Sequence, residues 1–141
     1  MLAPFTQPWA DAFRVAINDS ATYREAARTW LWATALVCAA DPAHGIPDDV
    51  ALELALNRGL CHGAVIKPAA ESSAEFVFRA PLATWREVVE GRLDPVMGVT
   101  KGSIQFRGSL TTLLLQMKAA AALVACAQQV PTRFPEGLDA A

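Results

Sequence analysis

Val50-Ala51-Leu52-Glu53-Leu54-Ala55-Leu56-Asn57-Arg58-Gly59-Leu60-Cys61-His62-Gly63-Ala64-Val65-Ile66-Lys67 alternates in side-chain size and polarity, turns, and alternates again. Successive residues of an extended chain point to opposite faces, so Val50, Leu52, Leu54 and Leu56 share one side. Ala51, Glu53, Ala55 and Asn57 share the other. Asn57-Arg58-Gly59 is turn chemistry, and Leu60 to Lys67 returns as a partner strand with a bulge expected at Gly63.

Downstream of this hairpin, Pro68 to Ser73 is polar, and a further alternation sets Phe76 and Phe78 opposite Glu75 and Arg79. Pro81 to Glu90 reads as a helix with proline at its start and Gly91 at its end. Leu93 to Thr100 reads as a shorter helix. Gly102 to Gly108 reads as a strand with Ile104 and Phe106 inward, and Ser109 caps a last helix running to about Gln129. Upstream, Asp41 to Asp48 is a loop punctuated by Pro42, Gly45 and Pro47. Leu31 to Ala40 is a continuous apolar run that suits a strand buried on both faces, with a buried helix as the alternative. Before it, Trp9, Phe13 and Ile17 recur at helical spacing. Asp19 and Ser20 then supply cap chemistry for a second helix from about Ala21 to Thr29, whose face carries Tyr23, Ala26, Ala27 and Trp30. Grouped helices with mostly antiparallel strands indicate an α+β fold. No repeat or long linker divides the chain, so a single domain over 1–141 is expected.

The chain has 141 residues, 53% hydrophobic and 18% charged, with a mean hydropathy of +0.26. An ordinary globular domain is about 45–50% apolar and about 25% charged. The surplus can enlarge the core, line a cavity or coat an interface. A net charge of −2 with dispersed basic residues does not build the positive stripe that phosphate contacts need, so no nucleic-acid partner is expected. Three widely spaced cysteines, Cys38, Cys61 and Cys126, argue against a disulfide framework and fit a reducing compartment. Met1 to Phe5 lacks the pattern of a secretory signal, and Asp139-Ala140-Ala141 is not a peroxisomal address; a cytoplasmic location is expected.

Few residues suggest chemistry. Cys61 and His62 are adjacent, but neighbours on a strand point apart, so a thiol–imidazole pair is disfavoured. His44 lies in a loop with Asp41, Asp48 and Asp49, without a recognised ligand spacing. Glu87 and Glu90 fall on a solvent-facing helix surface. Serine nucleophile elbows, phosphate-binding glycine loops and zinc-type cysteine pairs are missing. We expect no catalytic residues, no metal and no cofactor.

The last helix stands out. Leu110, Leu113, Leu114, Met117, Ala121 and Val124 form a stripe, and Lys118 is the sole charge between Leu110 and Gln129. A membrane span needs about 20 predominantly apolar residues, and a central lysine costs about 2.5–3.5 kcal/mol; the span is rejected. The helix is then either a buried core element or the wall of a cavity or docking face. Periodicity does not separate these two readings.

Trp85-Arg86-Glu87-Val88-Val89-Glu90-Gly91-Arg92-Leu93-Asp94-Pro95 resembles a tryptophan-bearing helix and turn of the sterol carrier protein family. Gly102-Ser103-Ile104-Gln105-Phe106-Arg107-Gly108-Ser109-Leu110 resembles that family's glycine-bounded strand leading into its final helix. Tyr23-Arg24-Glu25-Ala26-Ala27 and Cys126 to Pro135 are similar to stand-alone prokaryotic members. Gly98-Val99-Thr100-Lys101 departs, standing where bulkier apolar residues are often found. The resemblance implies a five-stranded, mainly antiparallel sheet covered by helices, with an apolar tunnel between the layers for a fatty acid, acyl-CoA or sterol-like lipid. Carried onto this chain, the tunnel would be walled by Phe76, Phe78, Val89, Met97, Ile104, Phe106, Leu113 and Met117. The expected function is non-catalytic lipid carriage by a monomer or homodimer, with transient membrane or partner-enzyme contact. The alternative is an accessory or dimerisation module that works through the last helix.

Overall fold

The computed structural model describes residues 1–138; residues 139–141, read above for an address signal, lie outside the described part. Five strands form one sheet: β1 Thr34–Cys38, β2 Val50–Asn57, β3 Leu60–Pro68, β4 Phe76–Ala80 and β5 Gln105–Arg107. Their order is β3-β2-β1-β4-β5. Only β1 and β4 pair in parallel; the other neighbours are antiparallel. The fold is therefore the α+β architecture expected, with a mainly antiparallel sheet.

Register explains the core. Phe106 pairs with Phe78, Phe78 with Leu36, Leu36 with Leu52 and Leu52 with Ile66. Paired residues point to the same face, so this row crosses the whole sheet. A second row runs Phe76, Thr34, Leu54, Ala64. Both rows face the helices. On the reverse face, Ala35, Val37 and Ala51 are buried together with Ala74, against the short helical turn Ala69–Glu71.

The hairpin forms as its sequence dictates. Arg58 and Gly59 take left-handed φ values of 52° and 86°, the pair of positive angles a two-residue turn needs to match strand twist. Between Leu54↔Ala64 and Leu56↔Cys61 the register shifts, placing the bulge at His62–Gly63. Cys61 and Ala64 consequently both turn inward and are buried. The turn is pinned to the helical layer: the Arg58 N–H donates to the Trp30 carbonyl at 2.8 Å. A Cβ on Gly59 would sit 2.5 Å from the Arg24 carbonyl oxygen. Gly59→Ala is therefore expected to cost about 2 kcal/mol from backbone strain plus contact. Urea unfolding checks it, and an unchanged midpoint would contradict this account.

Helix α1, Gln7–Asn18, buries Trp9, Phe13 and Ile17. It lies on β3, whose outer edge has no strand neighbour among the described residues. Unpaired edge groups are a liability, and α1 covers them with two amide side chains. Gln7 donates to the Ala64 carbonyl and accepts from the Ile66 N–H, both at 2.9 Å. Asn18 donates to the Cys61 carbonyl at 2.9 Å and accepts from its N–H at 2.8 Å.

Boundaries differ from the sequence reading where tertiary contacts intervene. Helix α2 is capped by Ser20, which accepts from the Tyr23 N–H, but spans only Ala21–Ala26. The chain then turns, because the Trp30 indole must reach the Trp32 carbonyl and Thr34 hydroxyl, at 2.9 and 3.1 Å. Of the apolar run Leu31 to Ala40, only Thr34–Cys38 pairs as strand, with both faces largely buried. Helices α3, Leu82–Val89, and α4, Pro95–Lys101, follow; α4 is capped by Asp94. Ile104 is buried just ahead of the short β5. Gly98 makes room for it, since a Cβ there would meet Ile104 Cδ1 at 2.6 Å.

The last helix is the main correction. It is two helices, α5 Leu110–Leu115 and α6 Met117–Gln128. Gln116 leaves helical geometry at φ −112°, ψ 29°, and its side chain bonds the Thr29 hydroxyl at 3.0 Å. The break changes the phase of the buried face. Leu113, Ala119, Ala122, Cys126 and Ala127 are buried, while Leu110, Leu114, Leu115 and Met117 are exposed. Among the described residues no helix is long and apolar enough to cross a membrane.

Candidate functional site

An apolar cavity lies between the helix-facing side of the sheet and the helices. Its floor is Thr34, Leu36, Leu56 and Phe78. Its roof comes from Phe13 of α1, Tyr23 of α2, Trp85, Val88 and Val89 of α3, Leu113 of α5, and Leu123, Val124 and Ala127 of α6. Pro4, Phe5 and Phe134 complete the lining. Among the described residues, no lysine, arginine, histidine or carboxylate side chain contributes to this wall. The internal volume is only about 50 Å³.

Beside these residues the first and last described segments of the chain are tied together. The Leu2 N–H donates to the Pro131 carbonyl, and the Arg133 N–H to the Leu2 carbonyl, at 2.9 and 2.8 Å. Trp9 Nε1 donates to the Thr132 hydroxyl at 2.9 Å. Phe5, at φ 57°, is wedged beside Trp9 and Trp85 with ring centroids 5.2 and 6.1 Å away. A non-glycine residue in this region is uncommon. Packing between two indoles holds it there.

Of the eight residues assigned to a tunnel wall, Phe78, Val89 and Leu113 line this cavity. The other five lie elsewhere. Phe76 is buried against Trp30 and Trp32, with centroids 4.7 and 5.3 Å apart. Phe106 packs at a tilt against Phe78 and Phe76 at the β5 edge, with centroids 5.0 and 5.9 Å away. Ile104 fills the space under Gly98. Met97 and Met117 face outward, 52% and 50% exposed. The sequence reading does not include Phe5, Trp85, Leu123, Val124 or Phe134. Trp85 carries a signal, being a tryptophan on the inward side of an amphipathic helix. Val124 belongs to the apolar stripe of the last helix, but the side on which it and Leu123 face depends on the break at Gln116.

The candidate chemical groups are dispersed. Cys61 is buried and its thiol donates to the Gly63 carbonyl at 3.2 Å, whereas His62 is exposed. His44 Nδ1 pairs with Asp41 at 2.8 Å, and Asp49 with Arg79 at 2.6 Å. No group of metal-ligating side chains forms among the described residues. All three cysteines are free and buried. Burial pushes the thiols of Cys61 and Cys126 above the ordinary range. Burial and the nearby Asp41 and Asp49 charges raise that of Cys38 to about 12. The thiolate is the reactive form, so iodoacetamide at mildly alkaline pH is expected to modify the native protein far more slowly than the urea-unfolded chain. Mass spectrometry reads this directly. Rapid labelling of Cys61 in the native state would contradict it.

Neither a protein-family model nor a curated protein matches the chain. Solved structures do. A crystal structure of sterol carrier protein 2 superposes with a TM-score of 0.86 at 41% identity, over 90% of this chain and 98% of that one. The solution structure of a conserved hypothetical protein from Thermus thermophilus, described as possibly a sterol carrier protein, also superposes at 0.86, with 37% identity over 100% and 96% of the two chains. A ubiquinone synthesis protein, UbiJ-SCP2, shares the fold at a TM-score of 0.51 and 13% identity, over 89% of each chain.

Proposed function

The chain belongs to the sterol carrier protein family, and we propose that it binds and carries a long-chain lipid, without catalysis, in the cavity between sheet and helices. One observation carries the reading: an internal space walled by aromatic and aliphatic side chains, with no charged group among the described residues facing it. Such a space does not attract water, which needs two to four polar partners. It does suit hydrocarbon. A tail burying roughly 300 Å² would gain on the order of 7 kcal/mol at ~25 cal/mol per Å², before ordering costs.

Size sets a condition on this reading. Ligand pockets generally run to about 300–1,000 Å³, against about 50 Å³ here. The walls must part for a tail to enter. The alanine-rich face of α6, with Leu123 and Val124, and the Phe5 wedge are the surfaces that would move. Delipidated protein is expected to bind a fluorescent long-chain acyl probe saturably, with a dissociation constant on the order of 10 µM or tighter. Lipid extracted from freshly purified protein should give a defined mass. Absence of saturable binding up to about 100 µM would overturn the proposal.

A second reading rests on the exposed face of α5 and the start of α6. Leu115 is 82% exposed, and Leu110, Leu114 and Met117 are also open. A face of that kind favours docking on a partner enzyme or a second copy. Light scattering behind size exclusion separates the two: a dimer without co-purified lipid supports the accessory module, and a lipid-bound monomer supports the carrier.

A further inference from the structure

The polar side-chain atoms of the cavity lining are committed to protein partners, with one exception among the described residues. Trp30 Nε1 donates to the Trp32 carbonyl and Thr34 hydroxyl, and that hydroxyl bonds the Trp32 carbonyl. Trp85 Nε1 donates to the Val37 carbonyl at 2.9 Å. Tyr23 differs. It is only 2% exposed, its side chain lines the cavity, and its hydroxyl makes no hydrogen bond among the described residues. Every fully sealed side-chain polar atom among those residues has a partner. The Tyr23 oxygen therefore keeps some accessible surface, and the cavity is one space that its side chain borders; the thiols of Cys61 and Cys126 are the titratable groups nearest in influence on the phenol.

We infer that the Tyr23 hydroxyl is the polar anchor of the lipid site, selecting ligands with an uncharged oxygen acceptor, such as an alcohol, ketone or ester, over bare hydrocarbon. This rests on the lipid-binding reading above. A buried hydroxyl without a partner is costly, so a ligand oxygen that accepts from it gains relative to one that cannot. Burial pushes the Tyr23 phenol upward, which keeps it a neutral donor. The acceptor it takes is also uncharged, because the described wall holds no cation to balance an ionised carboxylate or phosphate. A lipid with a charged head would leave that head outside.

The test compares ligands of matched chain length: 1-dodecanol, methyl dodecanoate, dodecane and dodecanoate, each displacing a pyrene-labelled hydrocarbon probe. Tyr23→Phe removes one oxygen and keeps the ring, and its thermal midpoint is measured alongside. The expected result is a loss of about five-fold in affinity for dodecanol and the methyl ester in the variant, with dodecane unchanged. Equal affinities in parent and variant for all ligands, or an equal loss for all including dodecane, would overturn the anchor and leave the carrier reading standing. Failure of the parent protein to bind any of the four would overturn both.

Discussion

Val124→Phe is expected to weaken lipid binding by well over ten-fold while leaving stability close to that of the parent. Val124 sits on α6 where it faces the cavity, so the added ring atoms would occupy space that a lipid tail needs. Excluding roughly 100 Å² of tail contact costs about 2.5 kcal/mol, close to a hundred-fold in affinity. Stability changes little because two effects oppose. Filling a void of about 50 Å³ recovers about 1.2 kcal/mol at about 24 cal/mol per Å³. Overpacking costs about 1–3 kcal/mol. Leu115→Phe, on the exposed face of α5, is the control and should bind as the parent does. Probe titration together with thermal unfolding checks both. Full binding by Val124→Phe would place the ligand elsewhere.

Trp85→Ala is expected to produce the largest loss of stability, about 3–5 kcal/mol. The indole is buried on α3 and 4% exposed. It borders the cavity beside Phe5, and its Nε1 reaches across to the Val37 carbonyl in β1. Removing it opens the core and deletes a buried hydrogen bond at the same point. A domain of this size has about 5–15 kcal/mol in total, so the variant should be marginal at room temperature. Trp85→Phe separates the causes: it keeps most of the packing and should cost nearer 1 kcal/mol from the lost bond. Urea midpoints measure both. A Trp85→Ala variant within about 1 kcal/mol of the parent would mean that α3 is not anchored this way.

Local pattern is enough for much of the fold. The alternation in Val50–Asn57, the Arg58-Gly59 turn and the Gly63 bulge each follow from backbone sterics, and each is present. The Trp9, Phe13 and Ile17 face of α1 is likewise set by helical spacing and is fully buried. The parallel pairing of β1 with β4 is not legible, because nothing local in either strand encodes a partner so distant in sequence.

The cavity is less legible than the fold, for two physical reasons. Ala119 to Ala127 is apolar all the way round, so periodicity cannot say which side faces in; the Gln116–Thr29 contact does that, across 87 positions. Methionine adds a second ambiguity. Met97 and Met117 suit a lipid wall by chemistry, yet both face outward. The part of the lining around Phe5 and Phe134 depends on two distant segments meeting at Leu2 and Thr132, and neither carries a pattern that foretells it. The amide cover over the β3 edge, supplied by Gln7 and Asn18, is equally a product of tertiary structure.

Isotope-filtered NOE spectra of labelled protein with an unlabelled long-chain lipid locate the bound tail. A lipid held between sheet and helices gives contacts from tail protons to the methyl groups of Leu113, Leu123 and Val124 and to the ring of Phe78. Contacts confined to Leu110, Leu114, Leu115 and Met117 would contradict that placement, because the lipid would then be lying on the outer face of α5 and the start of α6 and not within the fold.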